Sequence, residues 1–363
     1  MNVNELLQLM IKRGISDIHF KAASPPIIRV NGKLVSTNFE HFTPKHIHDL
    51  AYSLMSAQQQ AIFELENELD MSYAVDGVSR FRVNIYRQRN TVALTLRVVP
   101  LKIRRFEELN LPVNVIQKLA EESRGLILIA GITGAGKTTT MNSMVDYINE
   151  LFTYNIVTVE DPIEFYHKDK KSTISQREVG SDTKSFKQAL KHILRQDPDV
   201  VVIGEMREFE AISAGITAAE TGHLVLSTIH TMDAVQTIDR IVDSYSPHQQ
   251  PQVRAQLANV LKGIVAQRLL ISSDGESRYP AAEILICTSL IRKLILEGKS
   301  QEIYKNMEQG DYYGMQTFDQ DLYRLYRKGK ITLEEALENA TNPDDLMLKI
   351  RGIGAESGVS GGS

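Results

Sequence analysis

The chain is short of cysteine, of long apolar runs and of surplus positive charge, and each shortage removes a class of function. Its 363 residues include one cysteine, Cys287. A single thiol cannot close an intramolecular disulfide or assemble a cysteine-based zinc site. Set in the run Ile284-Leu285-Ile286-Cys287, it reads as a small buried hydrophobe, and one cysteine fits a reducing cytosol. No apolar segment approaches the ~20 residues that span a bilayer. Direct membrane insertion is therefore not expected, and any membrane role goes through a partner. The opening MNVNELLQLMIKRG carries Glu5 and spaces its apolar residues as a helix does, unlike a signal peptide. Lys and Arg number 41 against 45 Asp and Glu, a net charge of −4. That balance gives no electrostatic case for a nucleic-acid partner. No internal repeat is evident, and low complexity is confined to the Gly/Ser-rich tail.

What is present begins with residues 131–138, Gly-Ile-Thr-Gly-Ala-Gly-Lys-Thr. This fits G-x-x-x-x-G-K-[ST], the phosphate-binding loop. The apolar run Leu126–Ala130 reads as a buried strand before it, and Lys137–Leu151 reads as a helix after it. Gly131, Gly134 and Gly136 let the backbone turn so that successive N–H groups converge on phosphate oxygens, and the helix N-terminus adds partial positive charge. Lys137 is expected to reach the β- and γ-phosphates and Thr138 to bind Mg²⁺. Thr133, Ala135 and Thr139 complete the nucleotide-binding set. A glycine-rich turn in some other βα unit would also fit the pattern alone; the rest of the chain argues against it.

Length allows two or three domains. Residues 1–100 read as a small α+β domain. A first helix is expected from a cap at Asn4, with a stripe of Leu6, Leu7, Met10 and Ile11 ended by Gly14. Ile27–Val35 reads as a hairpin about Asn31-Gly32. Thr43-Pro44 opens a helix, Ser56-x-x-Gln59 is a capping box, and Phe81–Tyr86 and Thr91–Val98 alternate like paired strands. Residues 101–112 read as a charged linker closed by Pro112. Residues 113–275 alternate strands with helices: Leu126–Ala130, Asn155–Val159, Val200–Ile203 and Leu224–Ile229 are the apolar runs. That pattern implies an α/β core with a parallel sheet covered by helices on both faces. Residues 276–351 read as mostly helical, with a capping box at Thr332-x-x-Glu335, and residues 352–363 as a disordered tail.

Ligands of doubly wound sheets bind at the carboxyl ends of the strands, and here each strand ends in chemistry. Val157-Thr158-Val159 leads into Glu160-Asp161-Pro162-Ile163-Glu164, and Val200–Ile203 into Gly204-Glu205. The second is a Walker-B pattern whose Glu205 should hold Mg²⁺ through water. One acid of the usual pair is missing, so a second must come from elsewhere, and Glu160 and Glu164 are the candidates for activating water. His223 and His230 flank the strand Leu224–Ile229. A histidine near the γ-phosphate can hydrogen-bond it or couple nucleotide state to movement. Arg80, Arg82, Arg87, Arg89 and Arg97 crowd two strands of the first domain, with Arg80, Arg82, Asn84 and Tyr86 on one face. They are either a solvated face or a source of arginines for a neighbouring subunit's phosphates.

Together these residues resemble the secretion ATPase superfamily, and within it the PilT/PilU family of type IV pilus retraction ATPases. Ser16-Asp17-Ile18-His19 with Pro25-Pro26 is similar to that family's N-terminal signature, and Val159–Phe165 to its Asp box. Leu194–Asp199 through Gly204–Arg207 matches its Walker B, Thr221–His223 through Thr228–His230 its His box, and Gly314–Gln320 its C-terminal region. The resemblance implies a PAS-like first domain, a RecA-like P-loop ATPase core followed by a helical C-terminal region, and a homohexameric ring binding ATP and Mg²⁺ between the domains of each subunit. It implies Glu164 as general base, Glu205 at Mg²⁺, and Arg82 and Arg97 as arginines approaching from a neighbour. The implied partners are an inner-membrane pilus platform protein and a paralogous retraction ATPase, placing the chain in the cytoplasm, peripheral at the inner-membrane pilus base. Absence of a four-cysteine zinc module favours retraction over assembly. The family's Ala-Ile-Arg-Asn-Leu motif is here Leu290-Ile291-Arg292-Lys293-Leu294. The expected function is an ATP-hydrolysing motor for pilus retraction and twitching motility. The alternatives are a regulatory ring subunit with weak hydrolysis and, disfavoured by the acidic charge, a RecA-like DNA motor.

Overall fold

The structure, a computed structural model, describes residues 7–8, 10–11, 13, 15–30, 33–75, 79–99 and 103–352. It divides into one unit of residues 1–102 with 164–166 and a second holding the remainder. Asn4, Leu6, Gly14, the turn Asn31-Gly32 and the tail beyond 352 lie outside the described residues.

The first unit is built on a six-stranded sheet in the order β3-β2-β1-β6-β5-β4. The strands are β1 Ile15–Phe20, β2 Ile27–Val30, β3 Lys33–Ser36, β4 Glu68–Val75, β5 Ser79–Gln88 and β6 Thr91–Val99, and every neighbouring pair is antiparallel. Alternation sets the two faces. Ile18 and Phe20 of β1, Phe81, Val83 and Ile85 of β5, and Leu94 and Leu96 of β6 are buried in one cluster with Leu7 and Met10. Helix Pro44–Leu54 adds Ile47, Ala51 and Leu54 to it, and helix Ala57–Glu66 adds Phe63. Thr43 caps the first helix through the His46 N–H, and Ser56 and Gln59 form the reciprocal capping box on the second. Each such cap is worth about 1 kcal/mol.

The second unit is a seven-stranded sheet in the order β13-β12-β7-β11-β10-β8-β9. Its strands are β7 Gly125–Ala130, β8 Asn155–Glu160, β9 Thr173–Glu178, β10 Val200–Ile203, β11 Leu224–Ile229, β12 Leu261–Ile271 and β13 Arg278–Ile286. Neighbours from β12 to β9 are parallel; β13 alone runs antiparallel, against β12. Every residue of β7, β10 and β11 is buried, as strands covered on both faces require. Successive residues serve different cores. Leu126, Leu128 and Ala130 join Ile212, Ile216, Ile238 and Ile241 on one face. Ile127 and Ile129 join Met141, Met144, Val145 and Ile148 of helix Lys137–Leu151 on the other.

Two expectations shift. The stretch 101–112, read as a linker from its charges, contains the short helix Phe106–Leu109, and Phe106, Leu109 and Leu111 are buried in the second unit's core. Arg104, Arg105, Glu107 and Glu108 are exposed, on the outer side of an amphipathic turn. Strand β13 falls inside 276–351, where the sequence pattern predicts mostly helix. Pro280–Leu285 is buried on both faces, so it lacks the two-residue alternation that would have marked it. Helices Ser289–Glu297, Ser300–Glu308, Phe318–Arg327, Leu333–Glu338 and Pro343–Ile350 follow.

Gly263 shows how closely β12 is packed. A Cβ there would lie 2.8 Å from Leu119 Cδ2 and 2.9 Å from the Leu285 carbonyl oxygen. The carbonyl belongs to the paired strand and cannot swing aside. Gly263→Ala is expected to cost roughly 1–3 kcal/mol, measured by chemical denaturation; an unchanged midpoint would refute the tight register.

Candidate active site

A parallel sheet gathers its carboxyl ends on one edge. In register, Ala130 of β7 lies beside Ile229 of β11, Ser227 of β11 beside Ile203 of β10, and Ile203 beside Val159 of β8. The phosphate-loop sequence, His230, Gly204-Glu205 and Glu160 therefore emerge side by side, strands being ~4.8 Å apart.

The loop itself is shaped for an anion. Gly131, Gly134 and Gly136 have φ of 151°, 82° and 90°. A Cβ on Gly131 would meet the Gln267 carbonyl oxygen at 2.7 Å and Ala135 Cβ at 2.8 Å. Only glycine fits a turn that tight. Helix Lys137–Leu151 starts at Gly136 with no side-chain cap, so its first N–H groups and its positive end face the loop. The Lys137 Nζ donates to the carbonyls of Gly131 (2.8 Å) and Ile132 (3.0 Å), which holds the ammonium over the same loop. Thr138 is half-buried at the helix start. These residues fit a nucleotide polyphosphate.

On the adjoining strands, the Glu205 carboxylate lies 3.4 Å from His230 Nε2. Their backbones are cross-braced. Ser227 Oγ donates to the Ile203 carbonyl and Thr228 Oγ1 to the Gly204 carbonyl, each at 2.7 Å, while the Met206 N–H bonds Thr228 O. Gly204, where a second acid would stand, has no spare room: a Cβ would come 3.2 Å from Glu160 Cα. Glu160 is buried and accepts from Thr158 Oγ1 (2.7 Å) and Gln176 Nε2 (3.2 Å). Glu164 lies beyond it in the connection and is exposed. That connection is pinned at Ile163, whose N–H donates to Glu178. Of the two carboxylates offered for activating water, Glu164 is the one in reach of solvent. No cluster of three His, Cys, Asp or Glu suited to a metal exists among the described residues. Thr138 and Glu205 would offer, with phosphate oxygens and water, oxygen donors of the kind that suit Mg²⁺, which keeps several waters and takes few protein ligands.

His223 is a correction. It precedes β11, and its carbonyl pairs with the Gly125 N–H at the start of β7. It therefore lies at the amino edge of the sheet, a strand's length from the phosphate loop of its own subunit. Its Nδ1 is engaged with the Ala218 carbonyl (2.9 Å) and Thr221 Oγ1 (3.1 Å). Flanking one strand puts two residues at opposite ends of it, and His230 alone is at the site. Arg82 and Arg97 lie in the first unit, directly opposite one another on β5 and β6.

Several site-supporting residues gave no sequence signal. Gln267 of β12 is buried and bonds Thr140 Oγ1 at 2.9 Å. Asn142, Asp146, Asn149 and Glu150 form a polar stripe on helix Lys137–Leu151 at helical spacing. Asn149 Nδ2 donates to the Lys168 carbonyl, and Lys170 Nζ reaches Asp146 (2.7 Å) and Glu150 (2.8 Å). His167 Nε2 lies 2.7 Å from Asn142 Oδ1. Because Asn142 Nδ2 donates to the Thr138 carbonyl, its Oδ1 is an acceptor and His167 Nε2 carries the proton. Burial draws His167 down to about 4. Glu283 of β13, fully buried, accepts from the Ala234 N–H at 2.8 Å and is pushed up to about 7 by burial. It anchors the helix Ala234–Asp243 that follows His230.

The family described as type II/IV secretion system protein matches residues 1–338. The chain is 42% identical to the type IV pilus retraction ATPase PilT of Pseudomonas aeruginosa over 95% of this chain and 100% of that one. It is 40% identical to the type IV pilus ATPase PilU of the same organism over 98% and 93%, and 41% identical to a twitching motility protein of Neisseria gonorrhoeae over 88% and 86%. Among solved structures it superposes on the pilus retraction motor PilT with bound ADP at a TM-score of 0.89, with 46% identity, covering 96% of this chain and 99% of that one.

His167 and Glu283 pull acid stability in opposite senses. The unfolded chain takes up the histidine proton near pH 6.5 and the folded chain only near 4, so this contribution is lost as pH falls between those values. It amounts to on the order of 3 kcal/mol. Glu283 holds its proton to about 7 when folded, so its contribution is present at acid pH and lost as pH rises. Denaturation of wild type and His167→Gln from pH 7 to 4 is expected to differ in slope by close to one proton, the variant losing less stability in acid. Parallel curves would exclude a neutral buried His167.

Proposed function

The chain belongs to the type II/IV secretion system protein family, and from that premise we propose that it is the ATP-hydrolysing motor of type IV pilus retraction. The observation that carries the reading is the edge where the phosphate loop, Glu205 and His230 meet, in a chain that matches a retraction ATPase over 95% of its length. ATP is the substrate, and its β- and γ-phosphates take the N–H groups of the loop from Gly131 to Thr139. Lys137 exchanges its two carbonyl partners for phosphate oxygens. Bound Mg²⁺ would neutralise charge on those oxygens. Thr138 and Glu205 would hold it, and His230, beside Glu205, is placed to sense the γ-phosphate. Glu164, exposed beyond β8, takes the proton of the attacking water.

The second unit is the RecA-like core and the first, an antiparallel sheet backed by helices, the PAS-like domain. The working form is a homohexamer in which Arg82 and Arg97 come from a neighbouring subunit to the charge on the transferred phosphoryl group. No helix among the described residues is long and apolar enough to cross a membrane. Its place at the inner-membrane pilus base is reached through the platform protein, and a paralogous retraction ATPase is a further partner. In Leu290–Leu294, Ile291 and Leu294 are core residues of helix Ser289–Glu297, whereas Arg292 is exposed. Of the retained motif residues, Arg292 is the one available to a partner.

Turnover by the purified ring with Mg²⁺, and restoration of twitching in cells lacking their own retraction ATPase, test the reading. Lys137→Ala should lose productive nucleotide binding. Hydrolysis within about tenfold of wild type would count against the phosphate-loop assignment. Glu164→Gln should bind ATP normally and turn over about 10²–10⁴-fold more slowly, whereas Glu205→Gln should raise the Mg²⁺ requirement. Rescue of Glu164→Gln, but not Glu205→Gln, by high Mg²⁺ would reverse the two roles.

A further inference from the structure

The register of the first sheet aligns one row of side chains across five strands. Arg29 of β2 faces Asp17 of β1, Asp17 faces Arg97 of β6, Arg97 faces Arg82 of β5, and Arg82 faces Ser72 of β4. Directly opposed residues share a face with Cβ atoms about 5 Å apart, and opposed like charges repel. The row thus sets three arginines against one carboxylate. Asp17 accepts from Arg97 Nε at 2.7 Å through Oδ1, while its Oδ2 accepts from Ser16 Oγ at 2.8 Å and lies 3.7 Å from Arg29 Nε. The Asp17 side chain is 6% exposed and that of Arg97 64%. Burial alone would raise the Asp17 pKa, but hydrogen bonds from Arg97 and Ser16 and the charges of Arg97 and Arg29 hold it below its usual value. It is a fixed anion at working pH.

An arginine held by Nε keeps its other donor edge, the paired terminal nitrogens, for a second partner. Among the described residues those nitrogens of Arg97 make no hydrogen bond, and the side chain is mostly exposed. We propose that Asp17 is a positioning residue that holds the Arg97 guanidinium side-on so that its terminal edge is aimed outward at a nucleotide phosphate of the adjoining subunit. This rests on the reading of Arg97 given under Proposed function. Asp17 touches neither substrate nor metal; it acts by fixing the plane of the fork and by relieving the repulsion between Arg97 and Arg82, so that the two cations stand side by side.

An ion pair serving only the sheet would change stability and leave chemistry alone. The test is steady-state hydrolysis by the full chain as a ring, with ATP affinity, thermal midpoint and ring size measured on each variant. Asp17→Asn is expected to lower kcat about 10²-fold, the cost of a misplaced catalytic group. KM and ATP affinity should stay within about twofold. The double variant Asp17→Asn/Arg97→Ala should be no slower than Arg97→Ala alone. Arg97→Lys, an exposed substitution that spares the fold, should be as slow as Arg97→Ala, because its single nitrogen is taken by Asp17. If Arg97→Ala turns over like wild type, the arginine reading itself fails. If Arg97→Ala is slow but Asp17→Asn keeps wild-type kcat, the arginine reading stands and the Asp17 role is overturned. A double variant far slower than Arg97→Ala overturns it as well, since Asp17 would then act by another route. Should Asp17→Asn not assemble, Arg97→Lys decides: a wild-type rate overturns the proposal, and a rate matching Arg97→Ala upholds it.

Discussion

A parallel strand has a direction, and the site depends on it. Because β7, β11, β10 and β8 all point the same way in matched register, each hands its terminal residues to one edge. Four distant segments of sequence are thereby juxtaposed with no contact made for that purpose. The hydroxyls of Ser227 and Thr228 then fix β10 to β11 just where Glu205 and His230 leave the sheet. Burial of the three central strands on both faces removes any freedom to slip. The register of the cores and the register of the chemistry are one and the same constraint.

That constraint also accounts for the departure from the usual Walker-B pair. Gly204 passes so close to β8 that a Cβ would lie 3.2 Å from Glu160 Cα and 3.3 Å from the Val159 carbonyl oxygen, a tighter contact than side chains usually make. Glycine keeps the strand ends close, and the carboxylates that stay accessible beyond them are the part-exposed Glu205 and, in the connection after β8, Glu164. Glu160 looks equally suitable in sequence, but its carboxylate is turned into hydrogen bonds with Thr158 and Gln176.

What was legible in the sequence was whatever a short window specifies: the glycine pattern, the apolar runs, the capping boxes and the acid or histidine ending each run. The resemblance on those motifs carried the family. What escaped was set by residues distant in sequence. Strand β13 is buried on both faces and has no period to read. Phe106 and Leu109 hid among charges because an amphipathic turn shows only its outer side to a composition count. His223 and His230 looked like a pair until the direction of β11 separated them. His167 and Asn142, 25 residues apart, carry no motif at all; only the folded chain makes them partners.

The helix that begins at Lys137 also carries, two turns on, the buried Ser143, whose Oγ donates to the Arg104 carbonyl at 2.6 Å. One hydrogen bond thereby joins residues 39 positions apart in the chain. Tension drawn along the backbone at Arg104 need not travel through Phe106–Leu109, the next helix and β7 to be felt at the phosphate loop. It is shared at once with the rod on which Lys137 is mounted. A bond worth about 1 kcal/mol thus joins two stretches far apart in sequence, and the backbone at Arg104 and the helix that carries the loop lysine have a direct connection beside the covalent one.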